Sequence, residues 1–278
     1  MINARLKGMW RVARRWSTRC PMPIACRVLM CGVRLHRAVP LVLALVMAGA
    51  WTVPASGSVV VNGTRVIYPG QAREKTVRIT NQDHFSNVVQ AWVDIDDPVS
   101  TPETADAPFL VNPAVSRLAF GSGQTLRIIY TGAGLPQDRE SLFYLNILQI
   151  PPRNTAHADR DQMLLMLRNR LKMFYRPESV AGNSGQLPEK LQFSLANVGT
   201  SWQVRVHNPT GFYASFGSAV LEVGDHRLPL QPVMVEPFGN AEWALPDPGL
   251  LSDGVVQLRA QLINDYGAQV GIFHELSR

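Results

Sequence analysis

Apolar and polar positions alternate with a period of two along most of the chain after Ser58, and no stretch sustains a helical period. The alternation predicts strands at SVVVNGTRVIY (58–68), EKTVRITNQ (74–82), NVVQAWVDI (87–95), QTLRIIYT (124–131), SLFYLNILQI (141–150) and residues 162–175. YPGQ, FGSGQ, GAGLPQD and IPPRN supply turns between them. YRPESVAGNSGQLPEK (175–190) then breaks the pattern with Pro, Gly and Ser and reads as a hinge. A second series follows: KLQFSLAN, SWQVRVHNP, GFYASFGSAVLEV, HRLPLQPVMV, NAEWAL, GVVQLRAQLIND and AQVGIFHEL.

Many short alternating strands with frequent turn signals suggest an all-β chain of two immunoglobulin-like β-sandwich domains. The expected domains are 58–176 and 177–278, joined by a short hinge that leaves a cleft between them. Clefts between domains are common binding sites.

One strand departs from simple alternation. In QMLLMLRNRLKMFYRP (162–177), Met163, Leu165 and Leu167 share one face, and Leu164 and Met166 share the other. A strand apolar on both faces must be covered on both. Arg168, Arg170 and Lys172 then follow at spacing two. Alternation alone does not decide which of the two apolar sets faces the domain's own core.

The first 57 residues differ from the rest. They hold nine Lys or Arg and no acid, so of 27 basic residues 18 remain against 21 acidic ones, and the net charge falls from +6 for the chain to −3 for the remainder. That balance excludes the basic field that nucleic-acid binding needs. AVPLVLALVMAGAWTV (38–53) is an uncharged apolar run behind the basic flank, and VPASG follows with small residues suited to cleavage near Ala55 or Gly57. Its 16 residues fall short of the roughly 20 that span a bilayer, which favours an export signal over a membrane anchor. Cys20, Cys26 and Cys31 all lie in this segment. The exported protein therefore has no disulfide, and its roughly 220 residues hold together through their core.

Signs of enzyme chemistry are weak. His84, His157, His207, His226 and His274 show neither metal spacing nor a nucleophile partner. The acids of DIDDP (Asp94, Asp96, Asp97) follow a strand directly and read as a solvated loop, with a cation site as the less favoured alternative. The expectation is no enzyme, no metal and no cofactor. Arg65, among the apolar residues of GTRVIY, and Lys172, in RLKMFYRP, are lone cations in strands, which by pattern alone are exposed face residues.

LPQDRESLFYLNILQIPP (135–152) resembles the signature of periplasmic pilus chaperones, the PapD-like family of the chaperone–usher pathway. TRVIYPG, VVQAWVD, NPAVSRLAFGSGQTLRI, LKMFYRP, VHNPTGFY and INDYG resemble further family blocks, in family order, and span the chain after residue 57. The resemblance implies a periplasmic chaperone that binds and caps pilus subunits by donor-strand complementation and delivers them to an outer-membrane usher. The same family resemblance also allows self-association that caps the donor strand. It implies Met163, Leu165 and Leu167 as donor-strand residues, and Arg65 and Lys172 as the anchor for the subunit's C-terminal carboxylate. Because alternation puts Lys172 on the face opposite Leu167, a bulge or strong twist is expected between them. The resemblance further implies an interdomain ion cluster of Glu140, Arg176 and Asp265, with a structural role, and a cis peptide bond at Asn112–Pro113. The second domain departs from many relatives in having no cysteine pair. The alternative from another class is an exported β-sandwich binding module, such as a carbohydrate-binding domain; Trp92, Trp202 and Trp243 are too scattered to form its aromatic platform.

Overall fold

The computed structural model describes residues 58–132, 134–153, 161–199, 201–245 and 255–276. The segment read as an export signal, residues 1–57, lies outside the described residues. The described chain is built almost wholly from strands, and each predicted run holds one, though not always over its whole length.

The first sandwich contains β1 (Val59–Val61), β2 (Arg65–Pro69), β3 (Lys75–Asn81), β4 (Asn87–Asp94), β5 (Phe109–Asn112), β6 (Val115–Leu118), β7 (Gly123–Tyr130), β8 (Ser141–Ile150) and β9 (Leu167–Arg176). One sheet has the order β1-β3-β7-β5 and the other β2-β9-β8-β4-β6. Ile79, Ile128, Leu145, Ile147 and Met173 are fully buried where the two sheets meet. Two features differ from the sequence expectation. The run predicted as one strand at 58–68 is two: β1 pairs antiparallel with β3, and after residues 62–64 the chain crosses to the other sheet, where β2 pairs parallel with β9. The second is a pair of short strands that the alternation did not predict, β5 and β6; they flank the Asn112–Pro113 bond, which is cis as the resemblance implied.

The second sandwich contains β10 (Gln192–Val198), β11 (Ser201–His207), β12 (Phe216–Val223), β13 (His226–Leu230), β14 (Asn240–Ala244), β15 (Val256–Ile263) and β16 (Gln269–Leu276). Its sheets run β10-β11-β14 and β13-β12-β15-β16, closing over a core centred on Trp243, Leu221 and Leu258. Between the sandwiches the hinge carries a 3-10 turn (Ser184–Gln186), capped by the Asn183 side chain, and a single helical turn α1 (Leu187–Lys190). Pro188 sits in the first turn of α1, where its missing N–H costs nothing.

The joint is ionic. Arg176, the last residue of β9, donates from Nε to Glu140 at 2.7 Å and from both terminal nitrogens to Asp265 at 2.7 and 2.9 Å. Glu140 leads into β8 and Asp265 follows β15, so one guanidinium ties the two sandwiches. Glu140 also accepts from the Tyr213 N–H at 2.8 Å, and Asp265 from the Ser184 hydroxyl at 2.9 Å. Burial pushes Glu140 above the usual carboxylate range, because the Arg176 charge and the bonds from Tyr213 and Arg176 do not offset its enclosure. Burial also acts to raise Asp265, but the two-pronged bond from Arg176 outweighs it and holds Asp265 low. Nearby, a Cβ on Gly211 would stand 2.7 Å from Val180 and 2.8 Å from the Asp138 carbonyl, so only glycine allows this approach. Removing one member of such a cluster leaves buried charge uncompensated. Arg176→Ala is therefore expected to lower stability by about 3 kcal/mol, at the lower end for a broken buried pair because Asp265 keeps some solvent. An unchanged melting temperature would refute this.

Candidate functional site

Strand β9 is the element on which the site is built. On one edge it pairs with β8 from Leu167 to Tyr175. On the other edge β2 covers only residues 172–176. Over residues 167–171 that second edge meets no strand among the described residues, and every other backbone N–H and C=O there points to an open place.

The side chains change along one face in the same sense. Leu171 is 7% exposed and Met173 0%, both in the core of the first sandwich; on the same face Leu167 is 45%, Leu165 62% and Met163 92% exposed. The other set, Leu164 and Met166, is also exposed. Five consecutive apolar residues thus stand in solvent. The predicted strand at 162–175 is shortened accordingly. Residues 162–166 carry no strand pairing, because the β8 ladder ends at Gln149 opposite Leu167. The bulge expected between Leu167 and Lys172 is not present either. The β8–β9 register runs without a shift from Gln149–Leu167 to Ser141–Tyr175, so Lys172 lies on the face opposite Leu167 by plain alternation.

That opposite face looks into the cleft between the sandwiches. Arg65 opens β2 directly opposite Lys172, so the two cations stand side by side where the covered edge ends and the open edge begins. A gap of about 310 Å³ lies there, lined by Val59, Val61, Gly63 and Thr64 on one side and by Asn169, Arg170 and Leu171 on the other. Both cations are half-buried rather than exposed. Arg65 Nη1 donates to the Ile263 carbonyl of the second sandwich at 3.0 Å, and its Nε is buried with no partner. Lys172 Nζ has the Met234 sulfur, a weak acceptor, at 3.4 Å. Among the described residues neither is in an ion pair. Burial, and after it the adjacent Arg65 charge, pulls Lys172 below the usual lysine range, with Asp96 opposing. Burial likewise lowers Arg65, against the pull of Asp265 and Glu140. Two desolvated cations without a carboxylate make a ready place for an anion. Behind Arg65 the cleft widens to about 480 Å³, walled by Phe174, Tyr213 and Tyr266 and reaching Arg176 and Asp265. Burial there pushes the Tyr213 hydroxyl up to about 12.

The reading of Asp94 as part of a solvated loop is overturned. Asp94 is fully buried and accepts from Arg170 at 2.7 Å, from Ser100 at 2.9 Å and from Asn146. Burial alone would raise its pKa, but these three donors hold it low. Arg170 also lies over the Tyr144 ring at 3.5 Å, and Arg168 donates to the carbonyls of Ser100 and Pro98. The 94–100 segment is thus strapped onto the cleft face of the sheet by Arg168 and Arg170, two of the four cations on this face of β9. Lys172 is left as the available one. The signal in the sequence is the run of cations at spacing two with an acidic segment elsewhere to receive them, but nothing local pairs them.

Comparison with known proteins agrees with this geometry. Residues 58–181 match the family model described as pili and flagellar-assembly chaperone, PapD N-terminal domain, and residues 186–273 match pili assembly chaperone PapD, C-terminal domain. The chain is 36% identical over 201 residues to the probable fimbrial chaperone YadV of Escherichia coli K12, covering 71% of this chain and 82% of that one. The crystal structure of the YadV chaperone superposes with a TM-score of 0.67 at 33% identity, over 79% of this chain and all of that one. The Salmonella enterica SafB chaperone, solved in complex with the SafA pilin, superposes at 0.64 and 28% identity over 79% of this chain and 96% of that one. These matches do not favour the rival reading as a carbohydrate-binding sandwich. The chain belongs to the PapD family of pili-assembly chaperones.

Proposed function

We propose that this protein is a periplasmic chaperone that lends β9 to pilus subunits lacking a strand, caps them and passes them to an outer-membrane usher, with no catalysis of its own. On this reading residues 1–57 are an export signal removed near Ala55 or Gly57, 58–176 form the domain that lends the strand, and 177–278 form the second domain. One observation carries the proposal. The face of β9 that is core at Leu171 and Met173 continues as exposed Leu167, Leu165 and Met163 along an edge without a partner. The complex of the related SafB with a pilin supports the same kind of partner. Donor-strand complementation between chaperone and pilin is itself a known example of strand addition.

The geometry supports a particular docking. An added strand takes the open edge and meets Arg65 and Lys172 at its inner end. If the subunit's C-terminal carboxylate is held there, the strand runs toward Lys172, parallel to β9 and end to end with β2. The carboxylate sets the register, which matters because a slip of one residue turns every side chain to the wrong face. Met163, Leu165 and Leu167 then fill the subunit's open core, each contributing about 1.5 to 3 kcal/mol before entropy costs. With no subunit bound, a second copy covers the same edge, which keeps five apolar side chains from water.

Three outcomes test the reading. Lys172→Ala is expected to weaken subunit binding by about 2 kcal/mol or more, roughly 30-fold, as is Arg65→Ala. Co-purification at wild-type yield by both variants would remove the anchor and leave strand addition alone. Leu165→Ala should cost about 1.5 kcal/mol of binding while leaving the melting temperature of the free protein unchanged, since its side chain is largely in water. A fall in melting temperature with binding intact would mean that Leu165 packs on its own domain. Finally, an anion favours protonated Lys172, so affinity is full at neutral pH and is lost as pH rises through the lowered pKa of the free protein. Titration calorimetry should find that loss beginning below the ordinary lysine value of about 10.4, and Lys172→Arg should flatten the profile.

A further inference from the structure

The turn between β15 and β16, residues 264–268, reaches from the second sandwich to the first at three points. At its start the Ile263 carbonyl holds Arg65 Nη1 at 3.0 Å. In its middle Asp265 takes both prongs of Arg176. At its far side Gly267 lies so close to Thr64 that a Cβ would stand 2.3 Å from Thr64 Oγ1. Thr64 lines the gap beside β9, and Arg65 follows it in sequence. One short turn therefore touches the wall of the gap, the cation at its inner end and the ionic joint of the hinge.

The turn is stiff without help from a core. Asn264 N–H donates to the Ala268 carbonyl at 2.9 Å, Gly267 N–H donates to the Asn264 carbonyl at 2.9 Å, and Asn264 Oδ1 accepts from the N–H of Tyr266 and of Ala268 at 3.0 and 2.9 Å. Behind it the Ile263 N–H donates to Ser215. Gly267 has φ +82, a left-handed conformation that residues with a Cβ adopt only under strain. Such a turn transmits position instead of absorbing it. The only hydrogen bond of the Arg65 side chain among the described residues is to this turn's entry, and no carboxylate of the first sandwich pairs with it.

We infer that the 264–268 turn is a brace for the carboxylate anchor, and that Gly267 is a positioning residue for subunit capture. By meeting Thr64 without a side chain, it lets the turn close to where the Ile263 oxygen holds Arg65 and the wall of the gap is backed. The inference rests on the reading of Arg65 and Lys172 as the anchor. It gives the second sandwich a direct part in capture although the donor strand belongs to the first.

The test uses a peptide copying the C-terminal strand of a pilus subunit, made with a free carboxylate or with a terminal amide. Wild-type protein should bind the acid form more tightly; equal binding in this arm alone would overturn the anchor reading, and the brace with it. Given that difference, Gly267→Ala should weaken the acid peptide about tenfold, within the range for residues in direct contact, and leave the amide unchanged. Thr64→Ala in the same protein frees the space, though not the backbone strain at φ +82, and should recover part of the loss. Wild-type affinity of Gly267→Ala for the acid peptide, or equal weakening for both peptides, would overturn the brace. If Gly267→Ala does not accumulate as folded protein, the pair Thr64→Cys and Gly267→Cys decides. The two Cβ positions stand 3.5 Å apart, within disulfide range, and no native cysteine follows Cys31 to compete. The cross-link should form and keep the difference between acid and amide. Failure to form it, or loss of that difference once formed, would refute the brace.

Discussion

A β-strand needs partners on two edges and cover on two faces, and β9 has all four only in its second half. From Lys172 onward β2 and β8 pair its edges, the first sandwich buries one face, and the second sandwich stands over the other. Before Lys172 one edge and much of both faces are open, with Met163, Leu165 and Leu167 continuing the very row that is core at Leu171 and Met173. The cost of leaving such a strand unfinished is exposed apolar surface and unpaired backbone. On the proposed reading the rest of the molecule is arranged around that unfinished end: what holds it in place, what marks where an added strand stops, and what keeps the stop rigid.

Charge does most of that arranging. Four cations spaced along the cleft face of β9 have three different fates. Arg168 and Arg170 are consumed in strapping the 94–100 segment onto the sheet, through the Ser100 and Pro98 carbonyls and the buried Asp94. Lys172 meets only a thioether and a like charge. Arg176, two steps of the alternation further on, is saturated by two carboxylates and closes the hinge. The same side-chain chemistry thus gives a structural clamp, an unsatisfied pair and an interdomain joint, and the difference is the number of acceptors that other segments bring within reach. An unsatisfied pair is costly in the free protein, and on the proposed reading that cost is what a bound carboxylate relieves.

Sheet membership explains why Arg65 and Lys172 sit where they do. Splitting the first strand run in two lets β1 close one sheet and β2 start the other, and β1 with Gly63 and Thr64 forms one wall of the gap beside β9. Because β2 begins at Arg65, the covered edge ends at a cation. The turn at 264–268 presses on that wall from the second sandwich, so the angle between the sandwiches and the shape of the gap are not independent.

Much of this was legible in the sequence for a simple reason. Alternation is local, and a strand buried on one face writes its period into a few consecutive residues. The β character, the hinge at 175–190 and the doubly apolar run at 163–167 all follow from neighbours along the chain, and the family blocks added Arg65, Lys172, Glu140, Arg176 and Asp265 as residues to watch. The tertiary structure alone decided which of these meet. Parallel pairing of β2 with β9 sets Arg65 opposite Lys172; the return of the 94–100 segment over the sheet buries Asp94, which its place after a strand run had assigned to a solvated loop; and a glycine in a turn of the second sandwich touches Thr64 of the first. Each is a contact between segments far apart in sequence. Whether an edge is open or a charge is satisfied depends on what such segments bring, and no local pattern records it.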